Sequence, residues 1–172
     1  MLTCLRCIET EGRKNTFLYP SAGGLYSVSV LIYVRPKTVE GIASGLYSYH
    51  PVHHNIIPSM TNIDLDMSSF VGVTNRSLAQ HSAFTIFLVT DPDDSAPLYG
   101  KDAEQLALLN AGYLGQLLCN SAVESGLGLC PVHGIDFEHI RWLFPDPKRL
   151  VLLHTLMGGL VKITSTRFPI TL

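Results

Sequence analysis

Charge is scarce in this chain. Of 172 residues, 12 are Lys or Arg and 14 are Asp or Glu, a net charge of −2. That balance leaves no basic stripe for a phosphate backbone, so nucleic acid is not an expected partner. Long apolar runs are missing as well. A membrane-spanning helix needs about 18–20 consecutive apolar residues. The longest candidate, Leu150 to Val161, is broken by His154 and by Gly158-Gly159, so no membrane association is expected. The opening MLTCLRCIETEGRK has no apolar signal core, and a cytoplasmic location is expected. Cysteine is limited to positions 4, 7, 119 and 130. The Cys4-x-x-Cys7 pair has no second pair to complete a zinc site, so no metal is expected and the thiols read as small hydrophobes. His50, His53 and His54 read as solvated residues at a hairpin tip. The phosphate-binding G-x-x-x-x-G-K-[ST] and the nucleophile-elbow G-x-S-x-G are both absent, which removes support for P-loop nucleotide chemistry and for a serine hydrolase.

What is present is apolar. Hydrophobic residues make up 47% of the chain, enough for one domain spanning 1–172 with a substantial core. So lean a charge content implies an extensive subunit interface or a surface that a partner covers. Residues 1–10 read as the tail of a helix, with Leu2, Leu5 and Ile8 at three-residue spacing. Ser27 to Arg35 is a β-branched and aromatic strand, Leu46 to His50 alternates as a half-buried strand, and Asn55 to Pro58 begins its return. Arg76 to His81 reads as a short helix, Ala83 to Val89 as a buried strand, and the Asp91-Pro92-Asp93-Asp94 stretch as a solvated acidic loop. Asp136 is a candidate N-cap for a helix reaching Leu143, with Trp142 as a packing residue. Leu150 to Leu156 reads as a buried strand ended by Gly158-Gly159, with His154 as a core histidine.

The stretch from Leu98 to Asp136 organises the rest. Its helical pattern over Ala103 to Val123 is apolar nearly all round, as expected for a helix buried in a core or an interface. Ser125-Gly126 supplies the stop. The following Gly126 to Gly134 segment holds three glycines in nine residues, which lets backbone approach something flat. The fold class expected is α+β, a mainly antiparallel sheet with helices around this long helix.

These motifs together resemble the nitroreductase-like flavoproteins. More narrowly they are similar to the SagB/McbC-type azoline dehydrogenases and the oxidase domains of non-ribosomal peptide synthetases. The resemblance rests on Tyr99-Gly100, on Gly112-Tyr113-Leu114-Gly115-Gln116, on Gly126 to Pro131, on Pro20-Ser21-Ala22-Gly23-Gly24-Leu25-Tyr26, and on the hairpin around Tyr47 to His54. It implies FMN as cofactor, held at a homodimer interface, and a peptide or carrier-protein-tethered substrate whose thiazoline or oxazoline ring is dehydrogenated. It assigns contact with the flavin to Pro20, Ser21, Ala22, Gly23 and Gly24, and to Gly128, Pro131, Val132, His133 and Gly134, with the His133 amide directed at the ring. It assigns Arg167 to the phosphate, and Tyr99 and Lys101 to proton handling.

Two departures from the pattern stand out. Leu98 occupies the position where relatives carry a lysine before the tyrosine, and the arginine-rich helix that opens the family domain does not precede Pro20. The second is expected if the chain is N-terminally truncated relative to the family. Two further readings follow: a degenerate, non-catalytic lobe kept for dimerisation or docking, and a nitro- or quinone reductase using NAD(P)H.

Overall fold

A computed structural model describes residues 1–8 and 16–161. Six strands form one sheet: β1 (Val28–Val34), β2 (Gly45–His50), β3 (Asn55–Thr61), β4 (Phe84–Thr90), β5 (Leu127–Val132) and β6 (Val151–Leu160). Their order across the sheet is β3-β2-β1-β4-β6-β5, and every pairing is antiparallel. The helices are α1 (Arg76–His81), α2 (Ala96–Tyr99), α3 (Ala103–Glu124) and α4 (Phe137–Ile140). The α+β architecture read from the sequence is the one observed.

Strand β4 lies fully buried along its whole length, flanked by β1 and β6. Its side chains therefore feed two separate cores on alternate faces, as a period-two strand must. On one face Ile86 and Leu88 meet Ile32 of β1, Leu156 of β6, and Ala111, Leu114 and Leu118 of α3. On the other, Phe87 and Val89 meet Leu31, Met157, Ile140, Leu143 and Phe144. There Phe87 packs edge-on to Phe144 at 5.1 Å, and Phe144 packs on Phe137 at 4.8 Å.

Helix α3 runs 22 residues and ends where Gly126, at φ 69°, turns its N–H back to the Val123 carbonyl. Ala107, Ala111, Leu114, Leu118 and Ala122 are buried against the sheet. The opposite face stays open, with Leu108 and Leu109 each 54% exposed and Tyr113 48%. The helix is thus buried along one face, and its second apolar face lies at the surface of the chain.

Several sequence-based expectations need correction. The N-terminal segment is a single 3-10 turn, Leu2–Leu5, rather than the end of a longer helix. Strand β6 does not end at the glycine pair; it runs through Gly158-Gly159 because β5 approaches there. A β-carbon on Gly158 would lie 2.7 Å from the Gly128 carbonyl oxygen. Asp136 does not cap α4 with its side chain; it pairs instead with His139 at 2.8 Å, which lowers the carboxyl pKa and raises that of the imidazole. Trp142 is 53% exposed rather than packed. The acidic loop is partly neutralised, Arg149 bonding Asp91 at 2.7 Å.

Candidate active site

Antiparallel pairing fixes which loops share an end of the sheet. Val28 at the start of β1 pairs with Thr90 at the end of β4, and Thr90 pairs with Val151 at the start of β6. The segment before β1 and the segment after β4 therefore emerge side by side. The first carries Pro20 to Gly24; the second leads through α2 to Tyr99.

The two meet directly. A β-carbon built on Gly23 would run into the Tyr99 hydroxyl, and Gly23 sits at φ 58°, where only glycine is at ease. The same loop is tied to α3. Ser21 Oγ accepts from the Tyr26 N–H at 2.9 Å and from Nδ2 of the buried Asn110 at 3.1 Å. Asn110, 4% exposed, was not singled out in the sequence, because an amide in an apolar helix has no motif of its own. Its place on the buried face that Ala103, Ala107, Ala111 and Leu114 trace over about three turns was the only available signal. Ala22 and Gly24 complete a one-turn 3-10 segment, and no atom lies within 4 Å of where a Gly24 β-carbon would stand. Pro20 is exposed at the loop's start, and Lys101 is exposed just past Tyr99. Leu98 is 69% exposed.

The second glycine segment divides. Gly128 lies at the far end of β5, paired with Gly159, where a β-carbon would strike Val161; it is not gathered with the Pro20–Gly24 loop. Pro131 is exposed, and the Val132 side chain is spent in the core opposite α3, so only backbone is on offer there. Beyond Val132, His133 and Gly134 peel away from the sheet, with Gly134 at φ 81° and the His133 carbonyl accepting from Asn75 at 3.3 Å. Because β5 pairs only with Thr155–Leu160, residues Val151–His154 have no strand on that side. A cleft of about 390 Å³ follows this open edge, bounded by His133, Gly134, Arg141 and His154. Arg167 falls outside the described residues.

His154 is half-buried rather than a satisfied core residue. Its ring lies over Gly115, whose missing side chain makes the room: a β-carbon there would be 3.1 Å from His154 Cδ2. Burial pushes the imidazole pKa below its usual 6.5. The unfolded chain then binds more protons than the native one just below 6.5, so stability falls as pH drops through that value. His154→Gln is expected to flatten this part of the acid dependence, read as Tm across a pH series.

The chain belongs to the nitroreductase family, whose sequence model matches residues 4–159. It is 24% identical over 155 residues to indigoidine synthase of Dickeya dadantii (strain 3937), a match that covers 89% of this chain and 9% of that protein. Its fold is similar to a chain of the E. coli microcin synthetase McbBCD complex with truncated pro-MccB17 bound: TM-score 0.73, 18% identity, 93% of this chain and 61% of that one. It is also similar to an FMN-dependent nitroreductase from Clostridium difficile R20291, with TM-score 0.55, 12% identity, and coverage of 86% of this chain and 71% of that one.

The backbone beside the cleft fits the ring end of FMN, although the Pro20–Gly24 loop does not line that cleft. Two backbone stretches bearing positive-φ glycines, Gly23-Gly24 and Gly134, are free of covering side chains on at least one glycine each, which suits a flat contact. The cleft volume lies in the range of about 300–1,000 Å³ typical of cofactor sites. The phosphate end is less provided for among the described residues. Arg141 bonds Glu138 and the Pro147 and Leu150 carbonyls, and Arg149 is engaged by Asp91.

Proposed function

We propose that this chain is an FMN-dependent dehydrogenase that converts thiazoline or oxazoline rings, borne on a peptide or carrier protein, into thiazoles or oxazoles. The observation that carries the reading is the contact of the Tyr99 hydroxyl with Gly23, which joins the proposed proton-handling residue to the proposed flavin-contacting loop. Similarity to a synthetase complex that holds a peptide supports the substrate class.

When bound, FMN supplies the acceptor for one hydrogen and its electron pair. The chain's residues do the rest. Backbone groups of Ser21 to Gly24 and of His133-Gly134 hold and orient the ring. Asn110 keeps Ser21 in place through its 3.1 Å hydrogen bond. The second hydrogen leaves as a proton, since aromatisation of an azoline removes both, and is relayed through the Tyr99 hydroxyl, which passes its own proton to the free amine of Lys101 in the same step. The exposed Leu108, Leu109 and Tyr113 face of α3 serves as the homodimer surface.

One observation favours a second reading, a non-catalytic docking lobe: Arg141 and Arg149 are both committed to carboxylates or carbonyls rather than free for a phosphate. The absorption spectrum after adding FMN and removing the excess separates the two. Retained flavin bands together with oxidation of a thiazoline peptide are expected. A colourless protein would sink the enzyme reading and leave the lobe. Turnover of a nitroaromatic with NAD(P)H, and none of the azoline, would replace the substrate assignment. Tyr99→Phe is expected to keep the flavin and lose about a hundredfold or more in turnover.

A further inference from the structure

Part of the sheet lacks a strand. Strand β5 pairs with β6 only from Thr155 to Leu160, so Val151, Leu152, Leu153 and His154 are held by β4 alone. Among the described residues no backbone hydrogen bond reaches these four from any segment but β4. In an antiparallel strand, alternate residues turn both their N–H and their C=O to the same side. The outward groups here are unpaired donors and acceptors in a row, a template for another extended chain.

The sheet's outer edges are β3 and β5, and each is blunted by a proline, Pro58 and Pro131. The open stretch of β6 has no such guard. It lies instead inside the cleft of about 390 Å³, which all four of its residues line, each of them half-buried. His133 to Ile135 bend away from β6 and form the opposite wall with Phe137. A cleft walled in this way admits a lone extended chain and shuts out the edge of a second folded sheet. The register points the same way. It slips between Leu88 and Val89, leaving Leu153 without an opposite number in β4. Such a bulge twists the strand, which spoils a long flat pairing but not a short one.

We propose that an extended peptide segment enters this cleft and pairs with Val151–His154 as an added strand. Four residues of strand span about 13 Å, so about four residues of the guest are gripped. Main-chain bonds of this kind select an extended backbone, and the pockets beside it select side chains. Val151, Leu153, Ile135 and Phe137 make those pockets apolar. The choice of guest rests on the dehydrogenase reading, in which the peptide is the substrate. Pairing then lays it on the wall that faces the ring-contacting backbone of His133-Gly134.

The test uses the full isotope-labelled chain without flavin. The probe is a capped hexapeptide of alternating Gly and Ala that carries one thiazoline ring. At saturation, amide exchange within Val151–His154 is expected to slow about tenfold or more, with β3 and the outer edge of β5 unchanged. The same peptide with every backbone nitrogen methylated keeps its side chains and loses its donors. It is expected to bind at least about tenfold more weakly. Ile135→Trp, which fills the far wall, is expected to abolish the protection; if that variant loses its native spectrum, the methylated peptide decides alone. Unchanged exchange at Val151–His154 overturns the proposal, as does slowing at β3 or β5 instead, or equal binding of the methylated peptide. Flavin retention is read separately. Slowed exchange in a chain that holds no flavin supports the slot and removes the dehydrogenase reading; retained flavin without slowed exchange removes the slot alone.

Discussion

Phe87→Ala is expected to destabilise the protein by about 3–5 kcal/mol, the cost of a large cavity in a closed core. Phe87 is 0% exposed on β4, with strands on both sides and the Phe144–Phe137 stack above it. The neighbours that could collapse into the space are pinned. Phe144 is held edge-on between two rings, and Leu31 and Met157 belong to paired strands. For a chain of this size each kcal/mol corresponds to about 2–4 °C in Tm, so a drop of about 6–20 °C is expected in a thermal melt. A drop below that range would show that the helical layer opposite α3 yields and refills the gap.

Gly23→Val is expected to act in the opposite sense, with a small change in Tm and a large loss of flavin retention. Two costs combine at this position. A β-branched residue at φ 58° is strained by about 1–3 kcal/mol. Its side chain would also occupy the place of the Tyr99 hydroxyl. The loop is at the surface, where Ala22 and Leu25 are only half-buried and Gly23 itself is exposed, so it can shift without opening the core. On the proposed function, the shift displaces both the ring-contacting backbone and Tyr99. Loss of a tenfold or greater factor in FMN affinity, read by the flavin absorbance retained after removal of excess, is expected from about 1.4 kcal/mol of misplacement alone. Unchanged flavin retention in a folded Gly23→Val variant would remove this loop from the site.

How far the sequence led differs from element to element. Strands β1 and β4 were legible as β-branched and aromatic runs and β2 by its alternation, each with turn residues nearby, and α1 and α3 fell within a residue of their observed bounds. The α3 stop was legible because Gly126 alone can take the left-handed turn there cheaply. The end of β6 was misread for the same residue type. Gly158 and Gly159 look like punctuation in one dimension, but they are small because β5 passes within 2.7 Å of a β-carbon at Gly158. Close approach between strands distant in sequence leaves no local signal. Asp136 does stand at the N-cap of α4 as read, but its carboxylate pairs with His139 in place of a capping bond, because a capping carboxylate and a carboxylate three residues before a histidine have the same spacing. In the site, Tyr99 and the Pro20–Gly24 loop were named separately, but their contact follows only from the pairing of Val28 with Thr90. Gly128 was grouped with His133 by proximity in sequence, although an extended strand carries the two to opposite ends of β5.

The sheet order also governs how the chain can be made. Strands β1 to β4 form a continuous four-strand unit in the order β3-β2-β1-β4, all within the first 90 residues. The strand that covers the free side of β4 is β6, which begins only at Val151. Sixty residues of synthesis therefore separate a strand that ends up fully buried from its second neighbour, and β5, made earlier, has nothing to pair with until β6 arrives between them. During that interval the ribosome-bound half-sheet presents an open, hydrophobic strand edge, the surface on which chains pair with one another instead of with themselves.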